Sequence, residues 1–379
     1  MREPPTKMLN LFIGIQKNSF STIKAAGSKV TRTYDLLPAA LLPVLAAKTF
    51  LEYYLMITLI LTIAACATQP TPQPSQSDLL ETQSQGKKTY TDLVVGFAQI
   101  GAESEWRTGN TASIKEAAEQ FGVELMFSDA QQKQENQIKA IRVFIAQQVD
   151  VIGVSPVVET GWESVFQEAK DAGIPIILVD RRAAVSPDLY VTYMGSDFLA
   201  EGKNAARVMV ELLNGKGRIV ELVGTVGSAP ANDRYKGFRE ILQDYPDMKI
   251  IASAPGDFTR AKGQEVMAAL LKRYGKNIDA LYAHNDDMAI GAIKAIEAYG
   301  LRPGQDIKIV SIDAVRDAFK AMIDGKLNAT VECNPLLGPQ FFELALKVAN
   351  GEQVPKWIPS EESIFFPENA AEILPTRKY

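Results

Sequence analysis

The sequence predicts an α/β protein in which two doubly wound, parallel-sheet lobes are joined by a hinge. From Asp92 onward the chain repeats one unit, a short β-branched apolar run, a polar or glycine turn and an amphipathic segment. Such alternation is that of parallel strands covered by helices on both faces. Ten such runs are more than one open sheet carries comfortably, so they divide between two lobes.

Two apolar stretches precede the repeat, AALLPVLAA (39–47) and LEYYLMITLILTIAAC (51–66). The second ends in small residues, and Ile63, Ala64, Ala65 and Cys66 resemble a lipoprotein signal box, whose cysteine is lipidated and begins the mature chain. A transmembrane anchor with an incidental cysteine is the alternative. The long basic region ahead of the run and Glu52 inside it depart from an ordinary signal peptide. Residues 67–88, ATQPTPQPSQSDLLETQSQGKK, hold too few apolar side chains to fold and serve as a tether under either reading.

The strands expected next are LVVGFAQ (93–99), VELMF (123–127), VDVIGVS (149–155), IPIILVD (174–180) and LYVTYMGS (189–196), followed by RIVELVG (218–224), MKIIASAP (248–255), DALYA (279–283), IKIVSID (307–313) and NATVEC (328–333). Helices fill the intervals. The lobe boundary is expected near SDFLAEG (196–202). The resulting division is a leader over 1–66, a tether over 67–91, a first lobe over 92–196 with about 333–361, and a second over 197–332 with about 362–379.

In doubly wound folds ligands bind outside the carboxyl ends of the strands. Those positions hold Glu103, Trp106 and Arg107 after the first strand, Asp180 and Arg181 after the fourth, Phe258 after MKIIASAP, Asn285 after DALYA and Asp313 after IKIVS, with Arg234 opening a later helix. Each has a plainer use: a strand-end Asp caps helices, Trp106 fits a core, and Arg234 fits a solvated helix face. Together they assemble carboxylates, planar donors and aromatic faces at one edge of both sheets. A sugar matches that set, since ionised Asp and guanidinium bind adjacent hydroxyls in pairs and a ring takes the C–H face. In AHNDD (283–287), Asn285 or Asp286 can cap the following helix and the acidic pair complements its first turn, with a ligand site as the alternative use of the stretch.

Other chemistries find little footing. Net charge −5 offers no basic footprint for nucleic acid. One histidine and two dispersed cysteines make neither a multi-histidine metal site nor a disulfide framework. GTVG (224–227) lacks the third glycine of a dinucleotide fingerprint and the lysine of a P-loop, so no cofactor and no metal are expected. A glycosidase would need a carboxyl of raised pKa, whereas DR (180–181), NDR (232–234) and ND (285–286) set carboxylates beside cations or amides. No enzyme activity is expected.

The segments GFAQIGAESEWR, DAQQKQENQIKAIRVFIAQQVD, SPVVETGWE, GDFTR, YAHNDDMAIGAI and DGKLNATVE are collinear with one family. From about Leu93 to the end the chain resembles the type I periplasmic sugar-binding proteins of ABC importers, including their galactofuranose-binding members. The resemblance implies that Glu103, Ser104, Trp106 and Arg107 form a sugar loop, that Asp180 and Arg181 form its Asp-Arg pair, and that Arg234, Phe258, Asn285 and Asp313 complete the site. Glu105 stands where it implies a glycine.

It further implies that Asn285 is a ligand amide, with Asp286 and Asp287 left to cap and charge the helix start and His284 to pack or support. It also implies a monomer outside the cytoplasm that closes on a monosaccharide and docks on a permease served by its ATPase. The leader and tether lie outside the resemblance, and the anchor at Cys66 rests on the signal box alone. A sensory protein presenting the sugar to a chemoreceptor or kinase fits the same residues. A transcriptional regulator would need a helix-turn-helix where the leader and tether stand.

Overall fold

The computed structural model describes residues 86–379; Cys66, the apolar run before it and most of the tether lie outside the described residues. All ten expected strands are present: β1 (Val94–Gln99), β2 (Glu124–Asp129), β3 (Val151–Val154), β4 (Ile176–Val179), β5 (Thr192–Gly195), β6 (Gly217–Val223), β7 (Met248–Pro255), β8 (Ala280–Ala283), β9 (Lys308–Asp313) and β10 (Ala329–Glu332). Two short ones were not foreseen, β11 (Trp357–Pro359) and β12 (Ile364–Phe365). Runs of three and two residues carry no readable alternation.

The intervals hold α1 (Glu105–Phe121), α2 (Gln134–Ala146), α3 (Glu163–Asp171), α4 (Phe198–Leu213), α5 (Ala229–Leu242), α6 (Arg260–Tyr274), α7 (Asp286–Ala298), α8 (Arg316–Ile323), α9 (Gly338–Ala349) and α10 (Pro367–Ile373). Among the described residues no helix is long and apolar enough to cross a membrane.

The strands form two six-stranded sheets, ordered β11-β5-β4-β3-β1-β2 and β12-β10-β9-β8-β6-β7. Pairing is parallel throughout except for β12, which runs antiparallel on β10. This is the two-lobe α/β architecture of a type I periplasmic binding protein. The first sheet is apolar on both faces because its side chains alternate: Val95, Phe97, Ile177 and Val179 enter one core with Phe341 and Phe342 of α9. Ala98, Ile152, Val154 and Leu178 enter the other, with Trp162 and Phe166. The second sheet is packed within a single larger cluster.

Capping side chains set where the helices begin. Ser104, Asp197, Ser228, Thr259 and Asn285 each accept a backbone N–H from the first turn of α1, α4, α5, α6 and α7 in turn, at 3.0 to 3.4 Å. Each of these helices follows within a few residues of a strand end, so the caps also fix the residues beside them. The chain passes between the sheets after β5, after β10 and between β11 and β12.

Candidate functional site

One cavity brings the strand ends of both sheets together. Glu103, Ser104, Trp106, Arg107 and Arg181 line it from the first sheet, and Pro230, Arg234, Phe258, Asn285, Asp313 and Cys333 from the second. Nine of the ten sugar contacts expected from the sequence are therefore on one wall or the other. The tenth, Asp180, is not among the lining residues.

Asp180 lies behind Arg107. Its carboxylate accepts from Arg107 Nη2 at 2.6 Å and from Ser155 Oγ at 3.2 Å, while Arg107 Nε donates to Glu103 Oε1 at 3.1 Å. Paired carboxylates fix the plane of the guanidinium, which also lies 4.5 Å from the Trp106 ring. Trp106 is held at its other end, where Nε1–H donates to the Cys333 carbonyl at 2.6 Å. Although Trp106 begins on a helix of the first lobe, it packs within the core of the second.

On the opposite wall Arg234 is gripped three ways. Nε donates to Glu201 at 2.7 Å, Nη1 to the His284 carbonyl at 2.6 Å, and Nη2 lies 3.7 Å from Asp313. Phe258 meets two guanidiniums, Arg181 at 5.2 Å and Arg234 at 5.9 Å from its ring. Burial and the nearby Arg107 push Arg181 down to about 10, so it stays charged at neutral pH. Burial pushes the Asp313 carboxyl well above the carboxylate range despite Arg234.

Two features mark the cavity as built to hold something. Glu103 Oε2 and Arg181 Nε are buried without a hydrogen-bond partner, a costly state that a polyhydroxylated guest would relieve. Backbone strain also gathers here, with left-handed φ at Asp180 (64°), Phe258 (60°), Asp313 (129°) and Ala314 (62°). Three guanidiniums on the walls make the site hostile to a metal cation.

The AHNDD stretch divides its work differently from the sequence expectation. Asn285 lines the cavity but is itself the cap: Oδ1 accepts from the Met288 N–H, and Nδ2 donates to the Phe258 carbonyl at 3.1 Å. Asp286 is fully buried and accepts from Ser311 Oγ, Thr330 Oγ1 and the Val315 N–H, clamping two strand ends. Asp287 accepts from the Glu105 N–H at 2.7 Å and from Arg260. His284 packs against Tyr282 and meets Glu221 at 3.2 Å, outside the lining.

The rim is joined on both sides. Glu105, whose position the resemblance assigned to glycine, meets Arg260 at 3.3 Å, and Arg260 also holds Asp317 at 2.8 Å. Across the cleft the Glu159 N–H donates to the Gly227 carbonyl at 2.9 Å, Asn232 donates to Glu159, and Arg182 pairs with Asp233. Sequence reasoning missed Pro230, Cys333 and Glu201. Pro230 precedes Arg234 by one turn on α5, a spacing that could have found it. Cys333 closes the expected strand NATVEC, a strand-end signal that could have found it, whereas Glu201 lies within α4 and carried none.

A profile described as a periplasmic binding protein domain matches residues 95–353. The chain belongs to the periplasmic binding protein family. The galactofuranose-binding protein YtfQ of Escherichia coli K12 is 49% identical over 291 residues, which cover 76% of this chain and 92% of that one. A solved arabinose ABC transporter component from Shewanella sp. ANA-3, bound to α- and β-L-arabinofuranose, superposes with a TM-score of 0.74 at 48% identity, covering 75% and 95% of the two chains. A Mycobacterium smegmatis protein in complex with β-D-fucofuranose gives 0.74 at 51%, covering 76% and 95%.

Proposed function

We propose that this protein captures a monosaccharide in its furanose form, galactofuranose or a related aldose, and delivers it to the permease of an ABC importer without changing it. The cavity carries this reading: it draws on both lobes, and its unpartnered Glu103 and Arg181 atoms call for a guest rich in hydroxyls. Relatives near 50% identity are named for, or bound to, furanoses.

The energetics are adequate. Hydrogen bonds to charged groups contribute about 1.5 to 3 kcal/mol each, and Glu103, Arg107, Arg181 and Arg234 all reach the cavity. A micromolar constant needs about 8 kcal/mol after ordering costs. The walls are shut in the described conformation, so entry requires the lobes to part about the three crossings. A sugar touching both lobes favours the closed form. Capture is the chain's whole task, because the carboxylate pairs that would serve glycoside hydrolysis are spent holding Arg107 and Arg234.

The lobes are taken as 92–196 with about 333–361, and 197–332 with about 362–379. Residues 1–66 act as a lipoprotein leader and 67–91 as a tether, holding the monomer through Cys66 at the outer face of a membrane beside its permease and ATPase. The test is a thermal-shift and calorimetric screen of L-arabinose, D-galactose, D-fucose, D-ribose and D-glucose. Micromolar binding of a sugar that populates a furanose, with D-glucose weak, is expected. No binding across the panel, or turnover of any glycoside, would sink the reading.

A further inference from the structure

The three passages between the sheets converge on one side chain. Ser196 lies in the first, Cys333 in the second and Glu362 in the third. Ser196 Oγ–H donates to Glu362 Oε1, the Asn334 N–H donates to the same oxygen at 3.3 Å, and Ser196 Oγ lies 3.3 Å from Cys333 Sγ. A single carboxyl oxygen thus joins all three passages.

The knot reaches both walls of the sugar cavity. Cys333 holds Trp106 through its carbonyl, and Glu201, whose carboxylate approaches Glu362 and Cys333 to within 4.8 Å, holds Arg234. Charge is the difficulty. Glu201, Glu362 and Asp313 share Arg234 as the cation of the cluster, and Arg234 is already paired with Glu201 and close to Asp313. Glu201 Oε1 is buried without a partner. Two carboxylates this close in an apolar setting do not both ionise.

We propose that Glu362 is a positioning residue that enters the closed hinge as a neutral carboxylic acid, so that sugar capture takes up a proton. The inference rests on the closure reading above. Burial and the Glu201 charge push Glu362 up to about 9. Every other group facing it bears on the balance. Glu201 and Cys333 are both raised by burial, Tyr193 donates to the Ser196 carbonyl, and Glu332 beside Cys333 is neutralised by Arg377. Parting the lobes hydrates Glu362 and returns it to about 4.3. The closed form therefore holds the extra proton between those two values, and raising the pH through that window disfavours closure.

The experiment is calorimetric titration of the purified protein with the best-binding sugar of the panel above, across the neutral range and in buffers of different ionisation enthalpy. Wild-type affinity is expected to fall by up to about tenfold per pH unit, with uptake approaching one proton. Glu362→Gln, the isostere of the neutral acid, should bind as wild type at low pH and lose that proton uptake. Asp313 also titrates in the cavity, so the readout is the difference between wild type and variant. Equal uptake in the two, or none in wild type, overturns the proposal. Should Glu362→Gln fail to fold, Glu362→Ala also removes the titrating group and carries the same comparison. Binding with unchanged affinity at every pH sinks this inference alone, whereas no binding at any pH sinks the functional reading and this inference with it.

Discussion

Arg234 shows how a long side chain becomes a precise contact. Three protein partners hold it, so little side-chain entropy remains to be lost when a hydroxyl arrives. Arg234→Ala removes a buried cation and strands Glu201, so sugar affinity is expected to fall by about a hundredfold or more, read by calorimetry. Asp286 has a different consequence. Burial pushes its carboxyl up to about 7, with Asp287 adding to the effect, so the folded protein retains a proton that the unfolded chain releases near pH 4. Stability from this group is complete below the unfolded value and is lost as pH rises toward 7. Asp286→Asn keeps the neutral shape; its melting temperature should lack the component of decline that wild type shows between about pH 4 and about pH 7.

Helix contacts place those residues. α5 carries Arg234 and α4 carries Glu201, and the two helices approach through reciprocal glycines. A Cβ on Gly237 would lie 2.2 Å from the Leu199 carbonyl oxygen, and one on Gly202 would lie 2.5 Å from that of Arg234. Gly237→Ala forces the helices apart, with an expected loss of about 1 to 3 kcal/mol in denaturant unfolding, together with weaker sugar binding as Arg234 leaves Glu201. At this scale the sequence was read well where side chains alternate over a whole strand. Val94–Gln99 and Met248–Pro255 were expected almost to the residue. β11 and β12 escaped because they exist only by pairing with β5 and β10, partners more than thirty residues away in sequence.

For the molecule as a whole, the binding site is a meeting of distant segments. Trp106 and Cys333 are 227 residues apart and joined by one hydrogen bond, while Glu105 and Asp287 are 182 apart and joined by another. The second crosses between the lobes and the first ties Trp106 to a passage between the sheets, so contacts that shape the cavity also join its two walls. Attachment to a membrane belongs to this scale too. If Cys66 carries the anchor, Cys66→Ser should release the protein from membranes into the soluble fraction with sugar affinity unchanged, as followed by fractionation and binding.

The chain's order of strands, turns and strand-end residues determined the fold class and placed eight of the nine residues read from it on the cavity walls, with Ser104 added by the resemblance, because parallel sheets present their carboxyl ends to the same edge. Tertiary structure alone decided that Asp180 stands behind Arg107, that Asp286 is a buried clamp, and that Glu201, Cys333 and Glu362 form one hinge cluster. These depend on which oxygen meets which donor between separate elements, 29 residues apart for Asp286 and Val315, 73 for Arg107 and Asp180 and more than a hundred between Glu201 and Cys333, and strand or helix periodicity carries no information about such pairing.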